Sequence, residues 1–322
     1  MFRPSTRLAP LLVAMLIAAC GSDDAVTQPM DSAPAAPTSD GAPTVAPTLV
    51  DPPPDTAAVS GEFDLIADVP YTSTQQLDIY VPDGGADRPV VVFLHGGNPA
   101  RHPDERKTVA HVGESLAARG VVTYVPTWNG MGPAGGSQET ICAIAYARAT
   151  AAEHGGDPER VMPSGYSAGG YSAVIHALVG DAPPLPVEDC AVDPTIEGPQ
   201  VVAAGGAPFF VNEWARAGQL TDPEWADLSP EQVDAFDPFL AVEAGSNPEL
   251  RIVLLVGEDD VGGRQFFPIA ESTLEFDEAA RDAGYDVELT VVRGGHVPPL
   301  EAGTEQFETW MNTIVEAAHS QP

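Results

Sequence analysis

The chain has 322 residues, 43% of them hydrophobic, with 14 lysines and arginines set against 47 aspartates and glutamates. That length and apolar content suit one large domain or two small ones with a real core. A formal charge of −33 repels polyphosphate, which argues against nucleic acid as a partner, and with Lys107 the one lysine there is no basic stripe to dock on anionic lipid.

In chain order, Arg3 and Arg7 precede an apolar run at residues 11–17, and Ala18-Ala19-Cys20 follows. A positive start, a short apolar stretch and small residues at the cut give the order of an export signal. The run falls short of the roughly 20 apolar residues that cross a bilayer. Ile17-Ala18-Ala19-Cys20 also resembles a bacterial lipobox. On that reading residues 1–19 are a lipoprotein signal peptide and Cys20 is the lipidated first residue of the mature chain. The protein is then exported and tied to the extracytoplasmic face of the cell membrane through lipid alone. The alternative is an ordinary cleaved signal with Cys20 incidental.

Residues 20–60 change composition: Pro, Ala, Thr, Ser and Asp dominate, as in Asp51-Pro52-Pro53-Pro54. So few large apolar side chains cannot offset the entropy of ordering, and the stretch reads as an extended tether. The globular domain is expected at 61–322.

Residues 63–67 and 77–81 alternate in polarity and suit an antiparallel pair at a sheet edge, joined by a turn at 71–75. Pro89-Val90-Val91-Val92-Phe93-Leu94 is a continuous apolar run of the kind that is buried on both faces. A helix is expected at 104–119, a strand at 121–125, an alanine-rich helix at 140–154, a strand at 160–162 and a helix at 168–179. Strands at 201–204, 252–256 and 287–292 follow, and a helix at 305–318 closes the chain. Strands alternating with helices imply a mostly parallel sheet covered on both faces. Residues 207–247, with Trp214, Trp225, Phe236 and Phe239, lack strand character and read as short helices over the strand ends. They serve either as surface packing or as a wall that gates the substrate pocket.

Gly165-Tyr166-Ser167-Ala168-Gly169-Gly170 falls between an expected strand and an expected helix. A sharp strand-to-helix turn exposes a serine hydroxyl at the sheet's edge, and it closes only with small residues on either side. Serine needs a base, and His296 follows the last strand in Arg293-Gly294-Gly295-His296, where glycines let the loop turn back over the sheet. His102, His111, His154 and His319 read as surface residues, and His176 as a packed or partly exposed helical residue. The imidazole needs a carboxylate in turn. Gly257-Glu258-Asp259-Asp260 follows the strand at 252–256, and of its three acids Asp260 lies far enough along the loop to turn toward His296. The oxyanion formed on attack needs donors: the N–H of Ala168, and a second from the His95-Gly96-Gly97-Asn98 loop. His95 has no second metal ligand at a suitable spacing and reads as a brace for that loop. No metal or other cofactor is expected.

These elements resemble the α/β-hydrolase superfamily, in its carboxylesterase and lipase-like branch. Leu77-Asp78-Ile79-Tyr80-Val81-Pro82 before His95-Gly96-Gly97, and Asp157-Pro158-Glu159-Arg160-Val161 before the serine motif, are similar to esterases grouped with feruloyl and acetyl-xylan esterases. The resemblance implies an α/β-hydrolase fold, a triad of Ser167, Asp260 and His296, and Gly97 and Ala168 as oxyanion donors. Asn98 departs from relatives that continue the glycine run, which leaves the acyl pocket undefined. The implied reaction is hydrolysis of a small-molecule or polymer-borne carboxylic ester through an acyl-serine. A peptidase of the prolyl-oligopeptidase type would ordinarily carry a large extra domain, and nothing here is long enough to form one. A non-catalytic binding protein on this fold would be favoured by a missing triad member, and all are present. Cys142 and Cys190, in an exported chain, are expected to form a disulfide; the alternative is two separate buried thiols.

Overall fold

The computed structural model describes residues 61–97, 105–129, 135–180, 187–194, 198–216, 228–262, 267–296 and 298–322. The edge hairpin is β1 (Phe63–Pro70) and β2 (Gln76–Pro82), antiparallel as their alternation predicts. Next come β3 (Arg88–Leu94), two short helices α1 (Glu105–Thr108) and α2 (Ala110–Ala118), β4 (Val122–Pro126), α3 (Gly135–Thr150), β5 (Gly156–Tyr166) and α4 (Ala168–Val179). After β6 (Val201–Gly205) and α5 (Val211–Arg216), short helices at Pro230–Ala235 and Pro238–Glu243 precede β7 (Arg251–Gly257). The chain then forms a two-residue ribbon of β8 (Val261–Gly262) and β9 (Phe267–Pro268), a helix at Ile269–Asp282, β10 (Asp286–Val292) and a closing helix at Glu305–His319.

The main sheet has eight strands in the order β1-β2-β4-β3-β5-β6-β7-β10. From β4 across to β10 every pairing is parallel. Side chains alternate across the pleat, so β3 sends Val90, Val92 and Leu94 to one face and Val91 and Phe93 to the other. The first face packs on α3, α4 and the helix Ile269–Asp282, and the second on α2 and the closing helix. In that last helix Phe307, Trp310, Met311, Ile314 and Ala318 recur at helical spacing on the buried face, and the Thr304 hydroxyl caps it by accepting from the Phe307 N–H at 3.1 Å.

Several elements differ from their expected extents. The helix expected at 104–119 breaks at Val109, whose ψ of 16° lies outside the helical range. The alanine-rich helix starts at Gly135, and its end at 151–154 tightens to a 3-10 turn closed by Gly155 at φ 74°. β5 extends well beyond residues 160–162, because the polar Asp157-Pro158-Glu159 run lies at the sheet's rim, where β3 pairs with it through an irregularity. The helix Ile269–Asp282 had no counterpart among the expected elements. The excursion after β6 does form short helices. Trp225 and Asp104 lie outside the described residues.

The strand order reverses at β3, which has β4 on one side and β5 on the other. A parallel sheet opens a crevice at the carboxyl ends of its strands where winding reverses, since the following connections leave to opposite sides. His95-Gly96-Gly97 and Ser167 leave the sheet at this point. The ends of β7 and β10 are in register with it, through Tyr166 opposite Gly205, Gly205 opposite Leu255 and Gly257 opposite Val292. Cys142 in α3 is bonded to Cys190, their Cα atoms 5.1 Å apart, as the sequence leads one to expect. The Cys190 segment is stitched to the β1–β2 turn, with the Ala191 N–H on the Tyr71 carbonyl at 2.9 Å and the Ser73 hydroxyl on Asp189 at 2.5 Å.

Candidate active site

Ser167 is the single residue between β5 and α4, and it takes φ 56° and ψ −123°. A side chain other than glycine held there costs about 1–3 kcal/mol, which the surrounding packing has to sustain. The reason small residues flank it is steric. A Cβ on Gly165 would lie 2.5 Å from the Gly169 carbonyl carbon, and one on Gly169 would run into the Leu94 carbonyl of β3. The turn is tied back to the sheet by the Ser167 N–H, which donates to the Gly205 carbonyl at 2.8 Å. The serine remains partly exposed, while Tyr166 before it and Ala168 after it are buried. Ala168 opens α4, so its N–H belongs to the first turn, which has no intrahelical acceptors.

The loop after β3 crosses this turn. A Cβ on Gly96 would sit 2.9 Å from Ser167 Cβ and 3.6 Å from its Oγ, so the glycine backbone lies directly against the serine. Gly97 follows at φ 91°, with the Glu105 carboxylate against its Cα. His95 is buried. Its Nδ1 faces two acceptors, the Gly96 carbonyl at 2.9 Å and Glu105 Oε2 at 3.3 Å, so Nδ1 carries a proton. The ring rests 5.8 Å from Trp128. His95 thus braces the loop end, as expected. Asn98 and His102 lie outside the described residues.

At the other side of the turn stand the ends of β7 and β10. Glu258 and Asp259 are exposed, whereas Asp260 is buried and its Oδ1 lies 2.9 Å from His296 Nδ1. An ionised carboxylate only accepts, so Nδ1 is the protonated nitrogen and Nε2 the basic one. Backbone bonds set this geometry: Glu258 N–H to the Val292 carbonyl at 2.8 Å, Asp259 N–H to Gly294 at 3.0 Å and Ala270 N–H to Asp260 at 3.0 Å. Tyr166 packs under His296 with ring centroids 5.2 Å apart, which puts the imidazole beside the residue preceding Ser167. Burial first, and the Asp260 charge second, hold the Tyr166 phenol well above its ordinary pKa.

The remaining histidines stand apart. His176 is buried in α4 with Nδ1 2.7 Å from the Ser172 carbonyl, and burial pushes its pKa down to about 4. His111 is half-buried against Phe307 and reaches the Leu300 carbonyl at 2.9 Å, a packing role its sequence context did not disclose. Among the described residues no cluster of three or more His, Cys, Asp or Glu is placed to hold a metal ion.

The family pattern described as the alpha/beta hydrolase family matches residues 91–309. This chain belongs to the alpha/beta hydrolase family. Solved structures of similar fold carry esterase descriptions. Esterase B from Lactobacillus rhamnosis is 18% identical with a TM-score of 0.62, covering 80% of this chain and 88% of its own. An acetyl ester-xyloside bifunctional hydrolase from Caldicellulosiruptor lactoaceticus is 19% identical with a TM-score of 0.58, covering 76% and 88%. A protein from Bacteroides eggerthii described as a bifunctional GH43-CE is 19% identical with a TM-score of 0.61; the match covers 80% of this chain, which spans 38% of the Bacteroides protein's length. No curated protein matches the chain in sequence. At these identities the solved structures establish the fold.

Proposed function

We propose that the chain is a serine esterase that cleaves a small-molecule or polymer-borne carboxylic ester through an acyl-serine intermediate. The observation that carries this reading is the buried Asp260 carboxylate on His296 Nδ1, beside the strained turn that presents Ser167. In this reading Nε2 of His296 takes the Ser167 proton as Oγ bonds to the ester carbonyl carbon. The negative oxygen is met by the N–H groups of Ala168 and Gly97, each such donor contributing about 3–4 kcal/mol to lowering the barrier. Collapse expels the alkoxide, which takes the proton from His296. Water then enters on the acyl side, gives a proton to His296 and releases the acid, returning Ser167 to its hydroxyl form.

Ser167→Ala is expected to fold normally and lose several orders of magnitude in turnover of p-nitrophenyl esters, because only binding and the oxyanion donors remain. The native enzyme should be labelled by a fluorophosphonate probe and the variant should not. Ester turnover by Ser167→Ala at near the native rate would overturn the assignment.

We further propose, from the sequence, that residues 1–19 are removed on export, that Cys20 carries lipid and that residues 20–60 tether the domain to the outer face of the membrane. These positions lie outside the described residues. One acyl chain binds a bilayer only reversibly, whereas two or more hold stably. Mass spectrometry of the mature N-terminus is expected to find acylated Cys20; an unmodified start at any other residue removes the anchor.

A further inference from the structure

We propose that Tyr166 is a positioning residue that holds the His296 loop in place through its phenol hydroxyl, an inference that rests on the esterase reading above. Tyr166 Oη donates to the backbone carbonyl of His296 itself at 2.8 Å. The other described bonds on this loop act before His296: Glu258 and Asp259 N–H groups hold Val292 and Gly294, and Gln306 Nε2 holds the Arg293 carbonyl at 3.0 Å. The Tyr166 bond fixes the backbone of the base, and Asp260 fixes its ring at Nδ1. Two anchors, one on either side of the Cα–Cβ bond, leave the imidazole little freedom to swing.

The backbone around Tyr166 is cut to admit this reach. A Cβ on Gly205 would fall 2.5 Å from the phenol ring, and one on Gly206 would fall 2.9 Å from its hydroxyl oxygen. Gly206 takes φ 51°, a conformation in which a side chain is strained in any case. Trp310 closes the remaining side at a ring distance of 6.4 Å. Because the phenol is buried and faces the Asp260 charge, it stays protonated and serves as a donor. Tyr166 is also bonded directly to Ser167. One side chain therefore ties the element that carries the nucleophile to the loop that carries the base.

The test is Tyr166→Phe, which keeps the ring and removes the donor. A misplacement of this kind costs between about tenfold and a hundredfold in rate. The expected result is a fall of that size in kcat and in the second-order rate of fluorophosphonate labelling, with KM changed less than about twofold, since substrate binding is untouched. Tyr124→Phe serves as the matched control. It deletes the hydroxyl of another buried tyrosine, the one 3.0 Å from Thr150 Oγ, and should lower the melting temperature without lowering the labelling rate. Placing 4-aminophenylalanine at position 166 restores an N–H donor at the same point and should recover most of the rate, whether or not the Phe variant folds well. Labelling of Tyr166→Phe at the native rate overturns the inference, and so does equal labelling of a poorly folding Phe variant and the amino variant. If the native enzyme itself resists the probe, the esterase reading fails instead, and the two failures are told apart.

Discussion

Glu258, Asp259 and Asp260 are three consecutive acids, two exposed and the third buried, and the difference is made by one turn of backbone. The Asp259 N–H is spent on the Gly294 carbonyl and its side chain faces water, while the Asp260 N–H turns back to Gly257 and its carboxylate goes inward to His296. Asp260→Asn should keep the shape of the site but leave Nδ1 facing an amide that can present the wrong partner, with a loss of roughly 10⁴ in kcat by the serine-protease precedent. Asp259→Asn should change kcat by less than about threefold, as surface substitutions ordinarily do. Steady-state kinetics of the two purified variants decide it, and a reversed order moves the role to Asp259. At this scale much of the site was legible in the sequence. Gly165-Tyr166-Ser167-Ala168-Gly169 announces its own turn, because the steric demand is local. Tyr166 was legible only as a member of that motif. Its bond goes to a backbone carbonyl 130 residues away, and a carbonyl is present at every position, so nothing in the sequence marks the partner.

Among the elements, the segment running from α3 through β5 to α4 is the one closed by a covalent bond. Cys142 and Cys190 stand 48 residues apart, and the loop between them contains Ser167. Closing a loop of that length stabilises by about 4 kcal/mol in the chain-entropy description. Replacing both cysteines by serine should lower unfolding free energy by up to that amount in urea titrations at constant pH, with kcat retained at temperatures where the variant is still folded. Equal midpoints for the two proteins would show the bond to be dispensable. The element most hidden from sequence reasoning was the helix Ile269–Asp282. Its buried positions are Ile269, Ser272, Thr273, Phe276 and Ala280, in helical spacing but with only two large apolar side chains, while Glu271, Glu275, Asp277 and Glu278 crowd the rest. The period was there, but a buried face spelled partly in Ser, Thr and Ala does not read as apolar. Strands such as β3 and β7, buried on both faces, showed themselves as unbroken apolar runs.

For the whole molecule the dominant quantity is the charge of −33. Like charges repel over the compact surface, and the folded state suffers more than the expanded chain. The screening length shortens from about 30 Å at 0.01 M salt to about 8 Å at 0.15 M. Melting temperature should accordingly rise by several degrees between those two sodium chloride concentrations, measured at fixed pH by calorimetry or circular dichroism. A flat or falling trend would mean that the acids are neutralised locally by pairs such as Arg216 with Asp234 and Asp237, or Arg251 with Glu288.

The backbones of β3, β5 and α4 meet at the serine turn with glycine on every approach: Gly96 against Ser167, Gly165 against Gly169, and Gly169 against Leu94. Mutation therefore has almost no room to explore there, since the smallest possible addition, one methyl group, already collides. Whatever distinguishes this hydrolase from its cousins in appetite has to be written elsewhere. The short helices after β6 are joined to α4 through a side chain instead, the Tyr171 hydroxyl donating to the Phe236 carbonyl and to Asn212, and no such backbone crowding constrains that contact.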